Sequence, residues 1–454
     1  MATTTATTTT EPQVEPGRRG GRWIEHWDPE DVGFWQSSGR GVARRNLVFS
    51  ILAEHLGFSV WVIWSIVAVN LGSVGFTFTE SQLFWLVAVP NLVGATLRLP
   101  YTFAVPLVGG RNWTIISALL LVLPCLGLAW AVSNPDTSFR TMLLVAALAG
   151  VGGGNFASSM TNISWFFPER DKGWALGLNA AGGNIGVAVV QAPFVVSAMI
   201  TAGAGLHLAR AGLMWVPLAL LAAFCAWRFM DNLVVAKADF SSSATAVRMP
   251  HTWVMSFLYI GTFGSFIGYA AAFPLLIKGQ FPDVPVTSYA FLGALVGSLS
   301  RPLGGRLSDA VGGARVTAVS YLAMGLGVLG VVQALHRDSF AMFLGCFMVL
   351  FLATGVGNGS TYRMIPAIFR HGVDTDDVDA TRTARRQAAA AIGIISAVGA
   401  YGGFLVPRTY GWSTSAYGSI EPALYVYVGV YALMFAVTWL FYLRRGAAMA
   451  DAGV

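Results

Sequence analysis

The sequence predicts an all-α membrane protein, with twelve transmembrane helices in two pseudo-symmetric six-helix halves. Three observations predict it. Of the 454 residues, 55% are hydrophobic and only 11% charged, too apolar for a soluble globular chain of this size. Twelve apolar runs recur at the length of a bilayer-spanning helix, about 20 residues. The chain also repeats itself. Leu92-Val93-Gly94-xxx-Arg98 matches Leu295-Val296-Gly297-xxx-Arg301 at an offset of 203, and the same offset carries Val108-Gly109-Gly110 onto Val311-Gly312-Gly313 and Thr114 onto Thr317.

Residues 1–22 are Thr-rich, then Pro-, Gly- and Arg-containing, with too little apolar surface to order themselves. In residues 23–45, Trp23, Trp27, Phe34 and Trp35 alternate with acidic residues and are followed by Arg40, Arg44 and Arg45. Aromatics beside basic residues suit a membrane interface, so residues 1–45 read as a disordered arm and an interfacial segment. The first half occupies 46–230, with spans near 46–71, 82–108, 113–132, 140–165, 173–200 and 212–230. A polar linker, 231–251, leads to the second half, 252–443, with spans near 252–277, 287–307, 315–335, 339–362, 387–406 and 422–443. Residues 444–454 form a short tail.

Loop charge sets the expected orientation. With the N-terminus inside, 21 of the 28 Lys and Arg fall on the cytoplasmic side and five outside: Arg140, Arg210, Lys278, Arg337 and Arg408. The asymmetry places both termini in the cytoplasm and accounts for the net charge of +6 without nucleic acid. The three cysteines, Cys125, Cys225 and Cys346, lie in apolar runs and suggest neither a disulfide framework nor a metal site. The first apolar run starts near residue 46, behind a long polar stretch, so the first helix is expected to act as an uncleaved insertion signal.

Arg98 and Arg301 are the two basic residues left over. Arg98 stands about twelve residues, roughly 18 Å of helix, before the turn at Gly110, near the middle of a hydrocarbon core about 30 Å thick. An arginine there is costly and marks a function. Pairing with a buried carboxylate would be the purely structural account, but of the 22 Asp and Glu only Glu54 falls well inside a span. Two cations facing one acid leave room for a small anion, and guanidinium offers the forked donors that suit a planar oxyanion.

Spans 4, 5 and 11 crowd small residues: GVGGGNFASSMTNISWFF, GLNAAGGNIGVAVVQ and GIISAVGAYGG. Small residues let helices approach closely, and a narrow pocket needs the same. Asn155, Asn162, Asn179 and Asn184 are the polar groups there, and at least one is expected to face a site. The repeat runs through these helices too: Gly150-Val151-Gly152-x-Gly154 resembles Gly355-Val356-Gly357-x-Gly359, and Gly177, Gly183 and Gly186 map onto Gly393, Gly399 and Gly402.

Six spans plus six in parallel is the arrangement of the major facilitator superfamily, whose halves rock around a site near the midplane. Within it, ALGLNAAGGNIGV (175–187) and GAYGGF (399–404) resemble the two signature segments of the nitrate/nitrite porter family. GGGNFASSMTNISWFFP (152–168), LYIGTFGSFIGYAAAF (258–273) and QFPDV (280–284) resemble it as well. The resemblance implies that Arg98 and Arg301 clamp nitrate or nitrite, that Tyr259 and Phe263 on helix 7 and Phe156 on helix 4 line the pocket, and that Asn179, Asn184, Gly183, Gly399 and Gly402 belong to it. It implies a monomer in the cytoplasmic (inner) membrane without cofactor.

Glu54-His55, inside helix 1, is the other titratable feature at membrane depth; such groups often relay protons. Exchanging members of the family resemble each other in being apolar here, so the pair implies the proton-symporting branch. Nitrate/nitrite antiport, with Glu54 only tethering helix 1, is the alternative. GGRLSDAVGGAR (304–315) resembles the loop between helices 2 and 3 of a half and implies gating contacts by Asp309 and Arg306. An enzyme is not indicated: there is no metal-ligand cluster, nucleophile-base pair or nucleotide motif. A transporter-like nitrate sensor would need a signalling domain, and neither tail resembles one.

Overall fold

The structure, a computed structural model, describes residues 18–20, 22–203, 205–237, 240–374, 377–447 and 449. Most of the Thr-rich arm and the end of the C-terminal tail lie outside them. Eleven described helices are long and apolar enough to cross a membrane: α1 (Val32–Asn70), α2 (Glu80–Val108), α3 (Gly110–Ala131), α4 (Phe139–Phe166), α5 (Glu169–Gln191), α6 (Ala209–Phe229), α7 (Pro250–Gln280), α9 (Gly313–His336), α10 (Phe340–Arg370), α11 (Asp379–Tyr417) and α12 (Glu421–Leu443). α8 (Val286–Val311) has the length but is less apolar, because Arg301, Arg306 and Asp309 interrupt it.

The helices form two groups that meet along two seams. α2 packs on α11, and α5 on α8, which is the same pairing exchanged between the halves. α7 adds contacts to α1 and α2. The cross-half polar and ring contacts gather away from the linker. Arg408 Nη1 donates to Ser81 O at 3.4 Å and its guanidinium stands 3.9 Å over Trp85. Phe84 stacks on Tyr410, Gln191 Nε2 donates to Ala270 O at 2.8 Å, and the Thr96 and Tyr401 hydroxyls are 3.0 Å apart.

The segment 23–45 packs against the first half and the linker. Its residues 32–45 are already helical and run on into α1. Upstream, β1 (Arg18–Arg19) pairs antiparallel with β2 (Trp23–Ile24), which pairs parallel with β3 (Asn232–Leu233) of the linker. Trp27, Phe34 and Trp35 are buried against Phe166 at the end of α4 and Phe167 just after it, and Trp27 Nε1 donates to Trp165 O at 3.1 Å. Asp231 fixes the arrangement. It is fully buried and accepts from Arg22 at 3.0 Å, Arg45 at 2.6 Å and Asn46 at 3.3 Å. These aromatics fill a small protein core of their own.

Candidate functional site

The two repeated arginines converge at the centre of the bundle. Arg98, 0% exposed, leaves α2 and donates Nε to Gly153 O of α4 at 3.2 Å and Nη1 to Ser396 O of α11 at 2.9 Å. One bond lies within the first half and the other crosses to the second. Arg301, 7% exposed, comes from α8. Arg98 Nη2 and Arg301 Nη1 are buried with no hydrogen-bond partner among the described residues. Buried charged donors are rarely left unmade, and these two are free for an acceptor.

Flat rings surround them. The Arg98 guanidinium carbon lies 4.6 Å from the centre of Phe156, 4.8 Å from Phe263 and 5.6 Å from Trp61. That of Arg301 lies 6.0 Å from Phe156 and 5.4 Å from Tyr362. Phe156 from one half and Phe263 from the other are near-parallel with centres 6.2 Å apart, and Tyr259 stacks on Phe263 at 5.4 Å. α7 takes a π-helical turn over Ile260–Gly264, a distortion common at functional sites; Tyr259 immediately precedes it and Phe263 lies within it. Tyr259 OH donates to Asn358 Oδ1 of α10 at 2.8 Å, which fixes the ring.

Glycines permit this closeness. A Cβ on Gly399 would stand 2.4 Å from Tyr259 Cδ1, one on Gly402 2.5 Å from Gly264 Cα, and one on Gly153 2.3 Å from Trp61. Gly399 and Gly402 therefore back the α7 turn. Gly183 sits against Glu54, 2.7 Å from its Cγ for a built Cβ.

Glu54 is 0% exposed. Its Oε2 accepts from the Ser159 hydroxyl of α4, and Asn179 Nδ2 of α5 donates to the same Ser159 oxygen at 3.0 Å. Oε1 of Glu54 and Oδ1 of Asn179 have no partner among the described residues. His55 does not join this group. It is half-buried, with Nδ1 3.1 Å from Gly182 O, so the nitrogen facing that carbonyl carries the proton. Adjacent residues on a helix diverge by about 100°, which separates it from Glu54.

Of the four asparagines, Asn179 joins the Glu54 group, and Asn184 is buried with Oδ1 unpartnered among the described residues. Asn155 accepts locally from Ser158, and Asn162 abuts Gly110 at the start of α3. Asp309 pairs at 2.6 Å with Arg363 of α10, inside the second half. Arg306 is exposed and makes no ion pair among the described residues. Ser159, Asn358, Trp61 and Tyr362 were not singled out by sequence. Asn358 occupies the unassigned position of the repeated glycine motif and Ser159 lies in the small-residue run of α4, whereas an aromatic in an apolar helix, such as Trp61 or Tyr362, carries no mark that separates it from core.

Two six-helix halves closing on a buried pair of arginines define a secondary transporter of the rocking, two-halved class. Residues 47–376 match the Major Facilitator Superfamily model. The D-xylose-proton symporter crystal structure shares the fold at a TM-score of 0.64 with 14% identity, over 86% of this chain and 96% of that one. The nitrate/nitrite transporter NarU of Salmonella typhimurium is 44% identical over 93% of this chain and 96% of its own length. The probable nitrate/nitrite antiporter NarK2 of Thermus thermophilus is 39% identical over 94% and 98%. The chain belongs to the nitrate/nitrite porter family of the major facilitator superfamily. It is a multi-pass membrane transporter and not an enzyme.

Proposed function

We propose that this protein carries nitrate, and nitrite, across the cytoplasmic (inner) membrane by alternating access, as nitrate:proton symport with both termini in the cytoplasm. The observation that carries the substrate reading is the pair of unpartnered guanidinium nitrogens, Arg98 Nη2 and Arg301 Nη1, among stacked aromatic rings. Forked donors suit a planar oxyanion, and a slot between flat rings favours a trigonal ion over a tetrahedral one. Phe156, Phe263 and Tyr259 supply the rings; Gly399 and Gly402 keep the slot narrow. Both arginines come from one chain, so a monomer suffices.

Symport is supported by Glu54, a carboxylate at membrane depth with one oxygen unpartnered. Import against a negative-inside potential opposes a monovalent anion by roughly 2.3 kcal/mol per 100 mV, so accumulation needs a coupled ion. Antiport is the second reading, favoured by the likeness to the probable nitrate/nitrite antiporter of Thermus thermophilus. Proteoliposomes with an inward proton gradient, or with trapped nitrite, separate the two. Symport requires uptake on the gradient alone; uptake confined to nitrite-loaded vesicles means exchange. Arg98→Lys and Arg301→Lys each lose bidentate geometry and should cut nitrate uptake about 100-fold in either assay. Undiminished uptake in either variant would remove the clamp.

A further inference from the structure

Glu54 and the anion centre are joined by one hydroxyl. Ser159 donates to Glu54 Oε2, accepts from Asn179 Nδ2 at 3.0 Å, and has a second acceptor, Phe156 O, at 3.2 Å. The Phe156 ring in turn lies beside both guanidinium groups. The charged groups reaching Glu54 are Arg98 from α2 and Arg301 from α8. α4 and α5 face it with Ser159, Asn179 and Gly183, and His55, its neighbour on α1, is turned to Gly182 O. Among the described residues two carboxylates are fully buried, Glu54 and Asp231, and Asp231 is held by two arginines in the linker.

We propose that Glu54, positioned by Ser159 and Asn179, is a single-proton switch that shares the arginine pair with the anion, so that the carrier moves one proton per anion without net charge. This rests on the symport reading above. The empty centre holds two guanidiniums against one carboxylate, leaving one positive charge. Protonation at the unpartnered Oε1 forms one O–H bond, with the proton taken from water on the open side, and leaves two positive charges for the arriving anion. The loaded centre again carries one. Empty and loaded forms therefore cross the low-dielectric midplane with equal charge, whereas an anion bound beside an ionised Glu54 would forfeit attraction from both arginines. Binding of proton and anion is mutually favourable by linkage. The Ser159 hydroxyl can follow the change. With Glu54 ionised it donates to Oε2. With Glu54 protonated it can turn its proton to Phe156 O, a carbonyl on the residue whose ring touches the anion centre.

The test is nitrate uptake into proteoliposomes with pH gradient and membrane potential imposed independently, nitrate/nitrite counterflow being measured in the same vesicles. The proposal requires uptake that follows the pH gradient and is unchanged by an inside-negative potential. In Glu54→Gln the ratio of gradient-driven uptake to counterflow should fall about tenfold or more. Ser159→Ala removes a donor to the carboxylate and should move the pH of half-maximal uptake about one unit alkaline, with Ser159→Thr restoring it. Gradient-driven uptake that an inside-negative potential accelerates would mean more than one proton per anion and would overturn the single-proton switch while leaving symport intact. An unmoved pH midpoint in Ser159→Ala would remove Ser159 from the device. Counterflow without any gradient-driven uptake in the unmodified protein would instead defeat the symport reading itself.

Discussion

At the scale of single residues, the centre is held by what is missing from side chains as much as by what is present. Gly399 lies where a methyl group would stand 2.4 Å from the Tyr259 ring, and overpacking of this kind costs about 1–3 kcal/mol. Gly399→Ala should push Tyr259 off Phe263 and lower nitrate uptake about tenfold, read as initial rate at equal amounts of folded carrier. Gly177, with nothing within 4 Å of a built Cβ, is the matched control: Gly177→Ala should stay within about twofold. Arg98 and Arg301 were legible in the sequence because a cation at membrane depth has few explanations. Ser159 and Asn358 were not, because small polar residues in a glycine-rich helix look alike until their partners on α1 and α7 are known. His55 follows Glu54 in sequence, and helical geometry sends the two to different neighbours, Gly182 O and Ser159.

At the scale of elements, each of the twelve apolar runs falls on a long helix among the described residues, and the sequence repeat relates α2 to α8, α4 to α10 and α5 to α11. The protein contacts of the segment 23–45 were not legible for a physical reason: aromatics beside charges have the same local pattern whether they meet lipid headgroups or a protein groove. What decides is the long-range partner. Here that is Asp231, more than two hundred residues from Arg22 and fully buried. Its two arginine partners are partly exposed, at 24% and 33%, so the cost of Asp231→Ala falls below that of a fully buried pair, at about 1–3 kcal/mol. The variant should melt at lower temperature in detergent. It should also be cut faster by trypsin near Arg22, because β2 loses its anchor next to β3.

At the scale of the whole molecule, the centre is buried, and the cross-half hydrogen bonds and ring contacts described above lie at its level or on the side away from the linker. That side is the closed gate of this conformer. Gln191 supplies one of its bonds, to Ala270 O, worth about 1 kcal/mol. Gln191→Ala should raise the population open on that side roughly fivefold, measurable as faster thiol labelling of a cysteine placed at Ala271, buried next to the bonded Ala270. The same architecture bears on how the chain is made. α8 brings Arg301 to the centre, and a lone arginine at mid-membrane costs a segment about 2.5–3.5 kcal/mol during insertion by the translocon. α8 is joined to α7, an apolar helix, by only a short turn. The residue that gives the carrier its grip on an anion thus obliges the nascent chain to bring α8 into the bilayer as a hairpin with its neighbour, so biogenesis of the second half is tied to α7 before any substrate is met.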